Sequence, residues 1–286
     1  MDSCVDYLNT ILKINCEAKL VSKLFPKMLF RGESKKNDKI LPKYLRTNSS
    51  EEFHSSQYFD DELNIIKLFR NESYSYIKNV DREDYKTWRE YAQHYGVATR
   101  LLDWTSNPLI ALYFACLGNT KNDGVVYAIN WQNYHSGTNI NLSAELNKKT
   151  VEEIVEISAA GIKDIIPNPV IYQPVYTNLR MSAQSSYFML WGNKRQDLIQ
   201  QIGEEKVCDI EPISGDNDAG NNSLILYRIK IESDVKGKIL SELSLFGINR
   251  KSVFPGLDGI GDYIEELSCY NESDYCILYS SDWMDQ

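Results

Sequence analysis

Two stretches of the 286-residue sequence set chemically capable polar side chains among apolar neighbours. The first is Arg31-Gly32-Glu33, which follows the apolar Met28-Leu29-Phe30. A guanidinium at a strand end is permanently charged and planar, which suits bidentate capture of phosphate or carboxylate. Gly32 beside it would let a ligand approach the backbone. An ordinary salt bridge would account for the arginine as well. The second stretch runs from Gln93 to Pro108 and offers Gln93, His94, Tyr95, Thr99, Arg100, Asp103, Thr105, Ser106 and Asn107 within a short span. A purely structural reading also covers it. Asp103 could accept backbone bonds in a turn, Asn107 could cap a helix, and Arg100 could pair with Asp103. His94 reads either as a helix-end packing residue or as a general base.

Several chemistries find no support in the sequence. His54, His94 and His135 lack metal-ligand spacing, so no metal site is expected. There is no G-x-S-x-G elbow, P-loop or dinucleotide fingerprint. Metal-dependent nuclease chemistry through Asp103 and Glu33 would need an acidic cluster with a partnering lysine, and none is visible. The six cysteines form no C-x-x-C pair and read as reduced, buried thiols.

The elements that must position these residues follow from periodicity. Leu8 to Leu24 carries the spacing of an amphipathic helix, and Met28 to Phe30 reads as a strand ending at Arg31. Asp81 can cap a helix that presents Trp88, Tyr91, Ala92 and Tyr95 on one face and stops at Gly96, which puts Gln93 and His94 in its last turn. Val97 to Trp104 is extended. Asn107-Pro108 is a strong helix start, so Thr105, Ser106 and Asn107 occupy a strand-to-helix turn. Pro108 to Leu117 is almost wholly apolar and should be a helix crossing the core. Gly124 to Trp131 alternates like a strand, and Thr150 with Glu153 makes a capping box for a helix ending near Gly161. Pro167, Pro169 and Pro174 mark an extended connection, while the loop or insertion is expected near 201–223. Leu224 to Ile231 reads as a strand, and Val235 to Phe246 and Leu257 to Leu267 as helices. The expected architecture is α+β, with helices around a mostly antiparallel sheet, in a single domain over 1–286 with a helical N-terminal segment over 1–25.

Composition bounds the function class. Apolar residues make up 43% of the chain, with 19 Tyr and 5 Trp, ample material for a core. The formal charge of −9 and the lack of a Lys/Arg stripe argue against a broad grip on nucleic-acid phosphates. The longest apolar run is about half of the roughly 20 residues that span a bilayer, so no membrane span is expected. The N-terminus does not read as a secretory signal, and a cytosolic protein is expected.

Phe30-Arg31-Gly32, Gln93-His94-Tyr95-Gly96, the run Thr99 to Pro108 and Ala111 to Ala115 together resemble the FRG domain. The resemblance continues through Arg180-Met181-Ser182-Ala183-Gln184 and Phe254 to Gly259, with Ser185 and Ser186 where the family pattern carries glycine. More distantly, the order of a strand-end arginine, a Thr-Ser turn entering a helix and a following strand is similar to arginine-serine-glutamate ADP-ribosyltransferases. That similarity implies an ADP-ribosyltransferase-like fold and an NAD-cleaving effector of toxin or antiviral kind. NAD would be the substrate, with no cofactor held covalently and an unnamed macromolecular acceptor. It implies that Arg31 grips an NAD phosphate, that Thr105-Ser106 supports the pocket, and that Gln184 faces the ribose where the enzymes carry glutamate. Glutamine can hydrogen-bond a hydroxyl but cannot take its proton or balance an oxocarbenium charge. A module that holds a nucleotide or another anion without turnover is the alternative. Three expectations follow: Arg31 and the turn Asp103 to Asn107 line one pocket; Asp103 is buried and multiply hydrogen-bonded; and Arg180 with the Gln93 to Asn107 side chains contacts the ligand.

Overall fold

The structure, a computed structural model, describes residues 1–17, 28–35, 39–47, 55–118, 121–130, 134, 168–192, 195–210 and 225–268. Helix α1 (Cys4–Glu17) begins earlier than its periodicity predicts, and Cys4, Tyr7, Ile11 and Ile14 form its buried stripe. The remainder of that predicted helix, 18–24, lies outside the described residues, as do the capping box at Thr150 and Glu153, Trp131, His54 and His135. Strand β1 (Met28–Glu33) is followed by helices α2 (Lys43–Thr47), α3 (Ser55–Ser73) and α4 (Tyr85–His94), then strand β2 (Leu101–Thr105) and helix α5 (Pro108–Cys116). The cap of α4 is Asp84, whose side chain accepts from Thr87 N, whereas Asp81 was the expected cap. Asp81 instead accepts the Glu83 amide in the preceding turn and offers its carbonyl to the Trp88 indole.

Strands β3 (Gly124–Asn130), β4 (Val170–Tyr172) and β5 (Ser186–Leu190) come next, the last two separated by a short helix, α6 (Leu179–Ala183). Helix α7 (Leu198–Ile202), a 3-10 turn at Glu204–Lys206 and strand β6 (Val207–Ile210) occupy the described part of the expected loop near 201–223. That stretch is ordered because Asp197 closes a capping box with Gln200 and because β6 pairs with the next strand. Strand β7 (Leu226–Ile231) leads through a second 3-10 turn into helices α8 (Lys236–Leu245), α9 (Arg250–Val253) and α10 (Leu257–Ser268).

The seven strands form one sheet in the order β4-β5-β2-β1-β3-β7-β6. Every pairing is antiparallel except β6 with β7, so the chain is α+β with a mostly antiparallel sheet. Phe30, Gly32, Val126 and Ala128 face α5, which packs together with α1 and α8 on one side. Leu29, Leu102, Trp104 and Tyr127 face a second core closed by Tyr44, Leu198 and Ile199. Strand β3 is buried on both faces, as a central strand must be.

One joint in this sheet is narrow. Six consecutive positions pair β1 with β3, but β1 meets β2 only at Phe30 opposite Thr105. Two half-sheets, β4-β5-β2 and β1-β3-β7-β6, therefore part beside Arg31.

A buried ion cluster anchors the first half-sheet to α3 and α4. Both oxygens of Glu62 are occupied: Oε1 accepts from Arg89 Nε (2.9 Å) and Arg100 N (3.0 Å), and Oε2 from Arg89 Nη2 and Arg100 Nε (both 3.0 Å). Arg100 Nη1 also donates to the Trp191 carbonyl at 2.9 Å. Burial alone would raise the Glu62 carboxyl; the charges of Arg89 and Arg100 and their hydrogen bonds overcome it and hold the group at about 2.

A second buried carboxyl behaves in the opposite sense. Among the described residues, the Glu90 carboxyl accepts a single hydrogen bond, of 3.1 Å, from the Tyr172 hydroxyl. Burial raises its carboxyl from 4.5 to about 7, with Asp84 adding to the rise and Lys86 and Tyr172 opposing it. The folded protein therefore binds this proton more tightly than the unfolded chain. No penalty exists below 4.5; it develops as the pH rises through 7 and is complete above that. Glu90→Gln, which keeps an acceptor for Tyr172, should stabilise the fold by about 2–3 kcal/mol at pH 8 and by far less at pH 5. Urea unfolding at the two pH values reads the difference directly; an equal gain at both would refute it.

The turn into β5 is present despite the missing glycine. Ser185 takes it with φ +47, in the left-handed region. Its own amide donates to Ser182 O, and its carbonyl accepts from Ser106 N at 3.1 Å. Ser185→Gly should relieve the strain and raise stability by about 0.5–1 kcal/mol, visible as a higher denaturation midpoint at unchanged slope.

Candidate functional site

Strand β2 lies between β5 and β1, inside the sheet, yet its middle residue, Asp103, is exposed while Leu101, Leu102, Trp104 and Thr105 are buried. An exposed carboxylate on an interior strand means that the sheet face above it is left open, and we call this opening the cleft. Asp103 pairs with Phe188 and points to the face that carries α4 and α5, opposite to Leu102 and Trp104. Its orientation is fixed from α4. Gln93 Nε2 donates to Asp103 Oδ2 at 2.8 Å, while Gln93 Oε1 accepts from Thr99 Oγ1 at 2.7 Å. Thr99 Oγ1 in turn accepts from Leu101 N at 3.1 Å, so the chain of bonds closes back on β2. Helix α4 can deliver Gln93 there because Gly96, at φ +81, ends it and Val97 N reaches back to Ala92 O.

His94 and Arg180 form the charged surroundings. The half-buried His94 ring meets Tyr95 edge-on at 5.0 Å between centroids. Burial, and then the Arg180 charge, holds the imidazole below its ordinary value against the opposing pull of Asp103, so it is neutral at pH 7 and able to take a proton. Arg180, on α6, lies with its guanidinium 4.6 Å from the centroid of Phe254, the residue that ends α9. A carboxylate, a neutral imidazole and a guanidinium on one cleft can accept hydroxyl hydrogens, take a proton and bind an anion.

Arg31, Thr105 and Gln184 join the segments around this floor. Arg31 lies on the opposite face from the Asp103 carboxylate, but its Nη1 reaches the Asp103 carbonyl at 2.9 Å and its Nε pairs with Glu33 at 3.1 Å. It bridges the place where β1 and β2 part. Thr105 Oγ1 donates to the Gln184 carbonyl at 2.6 Å and accepts from Asn107 N at 3.0 Å. The Asn107 side chain caps α5 by accepting from Leu109 N, with Pro108 at the first helical position as the sequence indicates. Arg31, the Thr105-Ser106 turn and the Gln184-Ser185 turn thus meet across three adjacent strands, although they are far apart in sequence.

The site differs from expectation at several residues. Asp103 is exposed rather than buried, and among the described residues its side-chain hydrogen bond comes from Gln93. Arg100 pairs with Glu62, not Asp103, and like Thr99 is buried, so neither side chain is open to the surface beside Asp103. A Cβ at Gly32 would overlap the Ala111 carbonyl of α5; the glycine admits a helix, not a ligand. Arg31 and Gln184 do not face each other: the Gln184 amide donates to Val253 O at 3.1 Å, on the α5 side of the sheet. Tyr95 is exposed, while Ser106 and Asn107 are half-buried in the turn. Sequence reasoning missed Glu62 and Arg250. Neither has a local marker, since a buried acid and its arginine 38 positions away carry no periodic signal.

No helix among the described residues is long and apolar enough to cross a membrane. No curated protein and no solved structure matches the chain. Residues 26–124 match the family model of the FRG domain, a stretch that holds Arg31, the Glu62 cluster and the whole run from Gln93 to Pro108, whereas Arg180, Gln184 and Phe254 lie outside it. The α4 end, strand β2 and the β2-to-α5 turn, which build the surroundings of Asp103, all fall within that matched stretch, and the chain carries an FRG domain over residues 26–124.

Proposed function

We propose that the cleft over Asp103 binds NAD or a related nucleotide and acts on it as an ADP-ribosyltransferase or NAD glycohydrolase. The observation that carries this reading is the exposed Asp103 carboxylate on an interior strand, oriented by Gln93 from the α4 end that also holds His94. Cleavage breaks the bond between the nicotinamide nitrogen and ribose C1′. The electron pair leaves with nicotinamide, which departs neutral, and positive charge develops on the ribose. Asp103 can balance that charge and accept hydrogen bonds from the ribose hydroxyls, the part that Gln184, held by Val253, does not supply. The nucleophile, water or an acceptor group, loses its proton to His94 as it attacks C1′. Arg31 acts as a positioning residue that holds the Asp103 backbone. A cytosolic setting, where NAD is plentiful, and a toxin or antiviral role belong to the same proposal.

Binding without turnover is the second reading. It is favoured by the engagement of both polar amides: Gln93 occupies one oxygen of Asp103, and Gln184 is turned to Val253. Calorimetric titration with NAD, combined with an assay for free nicotinamide, separates the two. Binding with release supports the enzyme, binding without release supports the module, and no binding at all removes both.

A further inference from the structure

We propose that Arg180, laid on the ring of Phe254, is the anchor for a phosphate oxyanion at the wall of the Asp103 cleft, an inference that rests on the nucleotide reading only for the identity of the group that carries the phosphate. Arg180 is half-buried, and its guanidinium sits 4.6 Å from the Phe254 centroid. A second guanidinium, Arg250, lies 5.2 Å from the same ring. The two are not equivalent. Arg250 is neutralised by Asp262, through Nε at 2.9 Å and Nη2 at 2.8 Å. Arg180 has no hydrogen-bond acceptor and no ion pair among the described residues, although Asp103 is near enough to act on it electrostatically. Burial, followed by the Arg250 charge, works against the cation there, with Asp103 opposing.

A guanidinium stacked on an aromatic ring satisfies its flat face and leaves its edge, with five N–H donors, directed outward. Withdrawing that edge from water is costly unless acceptors replace the water, and an oxyanion supplies two in the matching fork geometry. The stack also fixes the group before binding, so little side-chain freedom is lost on capture. Asp262 and Phe254 support this arrangement: one offsets the competing charge of Arg250, the other holds Arg180 flat. Among the described residues, Arg180 is therefore a cation beside Asp103 whose donors are not already spent; Arg31, on the other face of the sheet, is committed to Glu33 and the Asp103 carbonyl.

The test is calorimetry on the full chain with two probes, inorganic pyrophosphate and ADP-ribose. Pyrophosphate affinity should fall at least tenfold in Arg180→Gln, partly in Arg180→Lys, which keeps charge but loses the fork, and also in Phe254→Leu, which removes the platform. Arg180→Gln breaks no hydrogen bond within the described residues and loses only the stack on Phe254, so its melting temperature should fall by a few degrees at most and unfolding is not the explanation. Equal pyrophosphate affinity in wild type and Arg180→Gln, or no pyrophosphate binding by the wild type, overturns the inference. ADP-ribose judges the nucleotide reading separately. Arg180-dependent pyrophosphate binding without ADP-ribose binding keeps the anion site and removes the nucleotide.

Discussion

Glu62→Gln should destabilise the protein by about 3–5 kcal/mol, because it removes the carboxylate that two buried guanidiniums share. Arg89 and Arg100 both give two hydrogen bonds to that carboxylate, and both are buried. The amide would keep an acceptor but lose the charge, and its NH2 group would face a donor. The loss should extend beyond stability: Arg100 leads directly into β2, so the floor of the cleft loosens with it. Since the Glu62 carboxyl is held at about 2 against 4.5 in the unfolded chain, its stabilisation is complete above 4.5 and disappears as the pH falls toward 2. Urea midpoints at pH 7 measure the first effect. A cost below about 1 kcal/mol would mean that the cluster is solvated rather than buried, and the account of it would be wrong.

Gly32→Ala should cost about 3 kcal/mol or more, because no side chain is flexible at the point of conflict. The added methyl would overlap the Ala111 carbonyl and stand 2.7 Å from Ala115 N, both in the backbone of α5. Gly124 on the neighbouring strand meets the Ala115 carbonyl in the same way, so the two glycines together let α5 lie directly on the sheet. Gly96→Ala is the informative control. Gly96 has φ +81 but nothing within 4 Å of a Cβ, so only backbone strain of about 1 kcal/mol is expected. Equal costs at the two glycines would show that strain, not the seating of α5, explains Gly32.

The sequence made these elements legible to different degrees. Helix α5 and its start were plain, because Asn107-Pro108 combines a cap with a residue suited to the first turn and the following run is apolar on all sides. Strand β3 was legible from alternation, although its burial on both faces was not, since a central position depends on partners chosen elsewhere in the chain. The roles of Arg100 and Asp103 were exchanged for a physical reason. Both lie in one apolar run, and only the pleat of β2, with α4 covering one end of it, decides which charge is buried and which is exposed. Gly32 beside Arg31 suggested an approach route for a ligand. Its true neighbour is a helix that begins 76 positions later, a long-range contact with no local trace. That β1, β2 and β5 lie side by side agrees with the order of Arg31, Thr105 and Gln184, but neither the placing of Arg31 on the face opposite the Asp103 carboxylate nor the direction of the Gln184 side chain, fixed by the Val253 carbonyl, could be read from that order.

The most direct measurement of the central claim is nicotinamide release from NAD by the wild type and by Asp103→Asn. The asparagine keeps an oxygen for Gln93 Nε2, so the fold and its melting temperature should be preserved while the negative charge is lost. Removing a preorganised charge from a developing cation should lower the rate by about 100-fold. The account expects measurable release by the wild type and that loss in the variant; release at the wild-type rate by a folded Asp103→Asn would contradict it.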